Sequence, residues 1–448
     1  MFGFLKTGPD STPLTDKAKI ASSYKSKRLS VFLSITLGYA LYYVLRQGFA
    51  VVTKPLLNEG VFTATEIGAI GSVFFFTYMI GKCLNGFLAD SLNIKRFLAM
   101  GLFVSAATLV LMGFCSTFYM FAVLWGVSGW FQTFGAAPCI VSLNQWFSNK
   151  ERGTLYGIWF SAHNIGTALT YVITAYIVVS YGWRWGFWVP GVVCLAAAFL
   201  LYFFMYDRPQ CYGLPSIALY SGDETRVKPK ISGKEIMAAQ LSVIKNPVVW
   251  ILGLASASCY ITRYAFEMWG VLFLTTKGYS LMGASSMIAI SQVTGIFGAF
   301  TCGWVSDKFF HHKRNMPCLI FGVFFVLSTV GFVYGPKDIT WLVYASLALF
   351  GYTLYALIAY LGGLMAVDLC SKKATGAVMG VIGLFSYAGA SLQQMLNGYL
   401  VDAYKYVGTD GKTMYDFTHV TPFWVVAAVV TCILPLLVWN AKPKEDGD

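Results

Sequence analysis

The sequence predicts an all-α polytopic membrane protein: twelve transmembrane helices in two six-helix pseudo-symmetric halves. Three observations carry this. Apolar runs long enough to cross roughly 30 Å of hydrocarbon recur from end to end. Of 448 residues 57% are hydrophobic and 12% charged, and mean hydropathy is +0.63. Stretches of the first half return in the second at a fixed offset. The apolar runs are continuous rather than alternating, which favours helices over a barrel, because a helix in lipid satisfies its own backbone hydrogen bonds.

The spans fall at approximately 29–53, 66–89, 97–115, 118–142, 154–179, 185–205, 247–274, 284–306, 316–334, 339–366, 375–401 and 420–441. This divides the chain into a polar amino-terminal segment (1–28), a first bundle (29–205), a linker (206–246), a second bundle (247–441) and a tail (442–448). The opening segment is polar and basic, and the apolar run after it is too long for the core of a cleavable signal, so it is expected to remain as span 1. Of the 32 Lys and Arg residues, 23 lie in the amino-terminal segment, the connections after the even-numbered spans and the tail. Six lie on the opposite side: Lys54, Arg184, Lys277, Lys337, Lys405 and Lys412. The positive-inside rule then makes both termini cytoplasmic. The net charge of +12 is mostly this topology signal, with anionic membrane lipids as its natural partner. No basic stripe is interleaved with exposed aromatics, so nucleic-acid binding is not expected.

Eight of the ten cysteines, Cys83, Cys115, Cys139, Cys194, Cys259, Cys302, Cys318 and Cys432, fall inside spans, and no CxxC pair occurs. They read as small apolar packing residues and not as metal ligands or a disulfide framework.

The repeat is explicit. GFLADSLNIKR from Gly86 and GWVSDKFFHHKR from Gly303 are 217 positions apart, as are Asp90 and Asp307, and Arg46 and Arg263. A second echo, offset by 223, pairs Gly153, Gly157, Gly166 and Leu169 with Gly376, Gly380, Gly389 and Leu392. Two halves of like orientation follow, joined by a linker rich in Pro, Gly, Ser and charge.

Arg46, Lys82 and Arg263 are the remaining cations, and each sits inside a greasy stretch. A charge in mid-membrane costs about 2.5–3.5 kcal/mol even on the lenient insertion scale, so such residues point to a function. A solute that carries negative charge would repay the cost. Two repeat-related arginines in the first helix of each half would face each other across a central cavity. Their guanidinium forks suit a phosphate dianion better than two lysines would. Lys82 supplies a point charge from the neighbouring helix, or else snorkels or pairs with a carboxylate. His163 and Asn164 offer donors from helix 5, although a lone histidine on an apolar face is often a hydrogen-bonded core residue. Glu267 is the acid placed within the hydrocarbon, four residues after Arg263, and a local pair between the two is the favoured reading.

The loop Gly-x-Leu-Ala-Asp-x-x-x-x-Lys-Arg between spans 2 and 3, echoed between spans 8 and 9, resembles the signature loop of the major facilitator superfamily. It departs from the commonest form at Ser91 and Asn93. Asp90 and Asp307 read there as conformational latches meeting a helix amino terminus or a basic side chain, or else as plain topology charge. A narrower resemblance is to the organophosphate:phosphate antiporters of that superfamily. It is carried by GYALYYVLRQGFA, ERGTLYGIWFSAHNIG, DRPQCYGLP, YITRYAFEMW and GLFSYAGASLQQMLNGYLVD, with FLKTGPDSTPLTDKAKI most similar to the hexose-phosphate sensor and transporter branch. The resemblance implies the major facilitator fold and phosphate held by Arg46 and Arg263, with His163 and Lys82 at matching positions. Tyr39, Tyr43, Tyr78, Trp159, Tyr260 and Tyr387 resemble cavity positions of the family, against packing as the default for any one aromatic. Gln47, Met268 and Gln292 stand where relatives often have Lys, Asp and Glu, and Glu267 is a possible substitute partner.

The implied function is exchange of a hexose phosphate, glucose 6-phosphate first, for inorganic phosphate by alternating access, in a bacterial inner membrane and as a monomer. Two alternatives remain. One is a membrane sensor of external glucose 6-phosphate that signals through a partner kinase. The other is a proton-coupled symporter of sugars or organic anions. No Gly-rich phosphate loop, nucleophile-base pair or metal-ligand cluster is visible, so no enzymatic activity, cofactor or metal is expected.

Overall fold

A computed structural model describes residues 2–89, 92–222, 243–311, 313–365, 375–408 and 413–441. The first half comprises α1 (Lys17–Asn58), α2 (Ala64–Ala89), α3 (Ile94–Met112), α4 (Phe118–Gln132, resumed as Ala136–Trp146), α5 (Asn149–Tyr181) and α6 (Trp185–Phe204). The second comprises α7 (Pro247–Tyr264, running through a π-helical turn at Ala265–Trp269 into Gly270–Thr276), α8 (Leu281–Phe309) and α9 (Asn315–Tyr334). It continues with α10 (Thr340–Ala359, ending in a π-helical turn at Tyr360–Leu364), α11 (Thr375–Ala403) and α12 (Thr421–Ile433, tightening to a 3-10 turn at Leu434–Val438). Among the described residues, ten helical stretches are long and apolar enough to cross a membrane. The broken α4 and the long α11 complete the twelve.

Helix ends follow capping chemistry rather than the edge of the hydrocarbon. Helix α1 starts at Lys17, well before the apolar run, because the Asp16 carboxylate accepts the amides of Ala18 and Lys19 at 2.9 and 3.4 Å. Its first turns are therefore polar helix outside the apolar layer. Helix α5 opens with a capping box between Ser148 and Glu151. The chain reverses after α1 at Gly60, whose φ of +65° suits a residue without Cβ.

Within each half the same partners pack: α1 with α5, α2 with α4 and α3 with α6, then α7 with α11, α8 with α10 and α9 with α12. The halves meet along α2 against α11 and α5 against α8. At the end remote from the chain termini this seam is tight. A Cβ on Gly398 would lie 2.7 Å from Gly68 Cα, Thr65 Oγ1 donates to Asp402 at 2.8 Å, and Ser72 and Ser391 share a 2.8 Å hydrogen bond. Small residues allow this backbone-to-backbone approach. Toward the termini the seam opens: Lys82, Cys83, Leu84, Met379 and Gly380 are exposed, and a Cβ at Gly153, Gly303 or Gly380 would meet nothing. The cleft between the halves thus opens on the side of both termini.

On that side the amino-terminal segment is strapped to the first half. Leu5 accepts the Asn93 amide at 2.8 Å, Ser11 donates its amide to Gln210 and Leu14 to Gly213, and Asp10 pairs with Arg208 at 2.8 Å. Buried Asp207 caps α3, its carboxylate accepting the Ile94 amide at 3.1 Å and Asn93 Nδ2 at 2.8 Å. Burial pushes its pKa up. The start of the linker is therefore packed structure, including a short helix at Ile217–Ser221. A hairpin of β1 (Lys405–Val407) and β2 (Thr413–Tyr415) joins α11 to α12 at the opposite face.

Candidate functional site

Arg46 lies on α1 and is 1% exposed. Its Nε donates to Gln132 Oε1 on α4 at 2.9 Å. The guanidinium lies 4.5 Å from the Tyr78 ring centre and 4.8 Å from that of Tyr43. Its Nη1 is buried without a hydrogen-bond partner, and no carboxylate among the described residues pairs with it. A buried guanidinium with an unpartnered donor is costly to keep, so this site asks for a functional explanation.

Arg263 on α7 repeats the arrangement with one addition. Its Nη2 donates to Tyr355 Oη on α10 at 3.3 Å, and its Nε donates to Glu267 Oε1 at 2.9 Å. Gln132 and Tyr355 are 223 positions apart, so each arginine is tethered by a repeat-related residue of the fourth helix of its own half. Sequence reasoning missed both anchors. The 223 offset seen elsewhere in the chain, extended to polar residues of spans 4 and 10, was the signal that would have found them.

Glu267 forms the expected local pair and also more. Its carboxylate accepts Gln292 Nε2 at 3.3 Å and, across the two halves, Gln47 Nε2 at 2.9 Å. Tyr171 of the first half donates to its backbone carbonyl at 2.5 Å, and Tyr355 Oη closes the ring by donating to Gln292 Oε1 at 2.7 Å. The π-helical turn Ala265–Trp269 explains how one acid serves both halves. The extra residue in that turn re-aims the side chains within it. Gln47 and Gln292 are thus partners of Glu267, while Met268 is 6% exposed and packs in the apolar core.

Aromatic rings connect the two arginines. His163 is buried, its Nδ1 hydrogen-bonded to the Phe160 carbonyl. Its ring centre lies 4.8 Å from Tyr43 and 5.6 Å from Tyr355. Tyr39 stacks on Trp159 at 4.6 Å and meets Tyr43 at 5.4 Å. On the other side Tyr78 meets Tyr387 at 4.5 Å, and Tyr387 meets Tyr260 at 5.4 Å. Lys82 is exposed in the cleft, its Nζ 4.9 Å from the Tyr387 ring, with no carboxylate partner among the described residues. Asn164 is 0% exposed with both side-chain polar atoms unpartnered. All the binding candidates from the sequence except Asn164 belong to this one connected cluster. Of the two latch candidates, Asp307 pairs with Arg314 at 2.7 Å, while Asp90 lies outside the described residues.

Residues 35–393 match the Major Facilitator Superfamily. The chain is 32% identical to the membrane sensor protein UhpC of Salmonella typhimurium over 99% of each chain. It is 31% identical to a probable hexose phosphate transport protein of Chlamydia pneumoniae over 96% of this chain and 95% of that one. It is 32% identical to the glycerol-3-phosphate transporter of Bacillus subtilis over 100% of both. These relatives are transporters and a sensor, not enzymes. Two solved structures share the fold: a bacterial homologue of the human lysosomal transporter Spinster (TM-score 0.71, 16% identity, covering 92% of this chain and 95% of that chain) and the nucleoside transporter NupG (TM-score 0.65, 16% identity, 91% and 98%). Twelve helices in two repeated halves, a family match across most of the chain and full-length relatives agree: this integral membrane protein belongs to the major facilitator superfamily, among its organophosphate transporters and sensors.

Proposed function

We propose that the protein exchanges a hexose phosphate, glucose 6-phosphate first, for inorganic phosphate, with Arg46 and Arg263 holding the phosphoryl group. The observation that carries this reading is Arg46: buried, tethered through Nε, with Nη1 free and no counter-ion among the described residues. Arg263 offers a second fork on the far side of the aromatic ring, and Lys82 adds charge at the cleft. A dianion accepts bidentate bonds from such forks. The hexose would lie against Tyr39, Tyr43, Trp159, Tyr260 and Tyr387, whose faces and hydroxyls suit a sugar.

Exchange follows from charge. With the site empty, Arg46 is already buried and unneutralised, and closing the cleft would also take exposed Lys82 out of water, whereas a phosphate or sugar phosphate neutralises these cations and lowers the barrier to reorientation. The halves rock about the site, and the observed cleft corresponds to the state open to the cytoplasm of a bacterial inner membrane, where both termini would lie. The relatives named as hexose phosphate and glycerol-3-phosphate transporters support the cargo class. Likeness to a membrane sensor protein over 99% of both chains supports a second reading, detection of external sugar phosphate with a signalling partner.

Proteoliposomes preloaded with phosphate should take up labelled glucose 6-phosphate, and Arg46→Lys and Arg263→Lys should abolish uptake. Equal uptake into phosphate-free vesicles would exclude obligate exchange. Saturable binding of glucose 6-phosphate without flux would favour the sensor.

A further inference from the structure

A groove of about 340 Å³ lies outside the central site, on the outer face of the first half between α3 and α6. Its walls are Ala99, Phe103, Ala198 and Phe199, with Phe103 and Phe199 edge to face at 5.6 Å. The two alanines leave a depression beside this touching aromatic pair, and neighbouring Phe203 and Phe204 are exposed. Its mouth is basic. Arg96, in the first turn of α3, also lines the groove; its Nη1 donates to the Phe4 carbonyl at 2.7 Å and its guanidinium lies 5.1 Å from the Phe4 ring. That bond uses one of five guanidinium N–H groups. Lys95 Nζ lies 5.1 Å from the ring of Tyr202, which also lines the groove. Neither cation has a carboxylate within ion-pair distance among the described residues.

We infer that this groove binds one anionic phospholipid of the leaflet on the side of the chain termini, an acyl chain lying along the Phe103–Phe199 pair over Ala99 and Ala198 and its phosphate on Arg96 and Lys95. An apolar slot continuous with the bilayer, closed at headgroup height by two cations that have no carboxylate within ion-pair distance among the described residues, is complementary to that class of molecule. A zwitterionic lipid fills the slot equally well but brings its own ammonium to the basic mouth, so the discrimination is electrostatic. Phe4 roofs the headgroup, and since Leu5 is tied to the start of α3 through Asn93, a bound lipid would brace the amino-terminal strap against the first half. The inference is independent of the cargo.

Native mass spectrometry of the full chain, titrated with phosphatidylglycerol or phosphatidylcholine of identical acyl chains, tests it. One phosphatidylglycerol is expected to bind in preference to phosphatidylcholine, and Arg96→Gln and Lys95→Gln each weaken it about fivefold. Arg96→Lys, which keeps the charge, retains most of the preference, and Ala99→Trp, which fills the slot, lowers binding of both lipids. A preference unchanged in Arg96→Gln and Lys95→Gln, equal binding of the two lipids by the natural chain, or a dimer that covers this face would overturn the inference.

Discussion

Replacing Glu267 by Gln separates the two jobs assigned to that residue. In the natural chain its carboxylate accepts from Arg263, Gln292 and Gln47, and both members of the Arg263 pair are nearly fully buried. A carboxamide has one acceptor oxygen, and its amino group would meet donors. Breaking a buried ion pair by removing one partner costs about 3–5 kcal/mol. On the usual unfolding entropy of about 2.1 cal/mol/K per residue, a 448-residue chain would melt about 3–5 °C lower without ligand. Anion binding should move the other way. An anion bound at Arg263 is relieved of repulsion from the carboxylate, on the order of 1–2 kcal/mol per phosphate charge at an effective dielectric of about 20, so affinity for a dianion should rise more than tenfold. Melting curves of purified protein with and without inorganic phosphate read both effects. Glu267→Gln should therefore be less stable when empty and show a larger phosphate-induced shift than the natural chain. An unchanged melting temperature together with an unchanged phosphate shift would refute the role given to Glu267.

Three further outcomes follow from the same geometry. Gln132→Glu places a carboxylate where the amide oxygen now meets Arg46 Nε at 2.9 Å, so counterflow of glucose 6-phosphate should fall more than tenfold while the melting temperature holds or rises; full-rate counterflow would remove Arg46 from the binding group. Gly398→Leu puts a side chain where Ala64 carbonyl oxygen and Gly68 Cα lie 2.6 and 2.7 Å from a Cβ, so the seam remote from the termini should part. A cysteine at Ser391 should then become more reactive to impermeant reagents added to the side opposite the termini, and unchanged labelling would count against the seam as a gate. Asp207→Ala leaves the Ile94 amide and Asn93 Nδ2 without their acceptor, a loss of about 1–3 kcal/mol that thermal unfolding should register.

Much of this was legible in the sequence, because bilayers impose a long apolar period and a duplicated chain repeats its polar exceptions. Arg46 and Arg263 stood out on both counts, and Glu267 four residues after Arg263 read as its local partner. What hydropathy did not convey was geometry set by backbone irregularity. Glu267 lies in the π-helical turn at Ala265–Trp269, where one carboxylate oxygen meets Arg263 and the other meets Gln47 of the other half, and no residue type marks such a turn. Gln132 and Tyr355 were hidden for a different reason: the 223 offset relates the two positions to each other, but which arginine each one meets shows only when helices 1 and 4, or 7 and 10, are seen side by side. The early start of α1 shows the same limit, since Asp16 sets where that helix begins by capping chemistry and not by where the hydrocarbon begins.

The most direct measurement is a structure of the protein with glucose 6-phosphate bound. The account predicts the phosphoryl oxygens within about 3 Å of guanidinium nitrogens of both Arg46 and Arg263. A phosphoryl group held elsewhere in the cleft, with Arg46 Nη1 still unpartnered and Arg263 bound only to Glu267 and Tyr355, would contradict it.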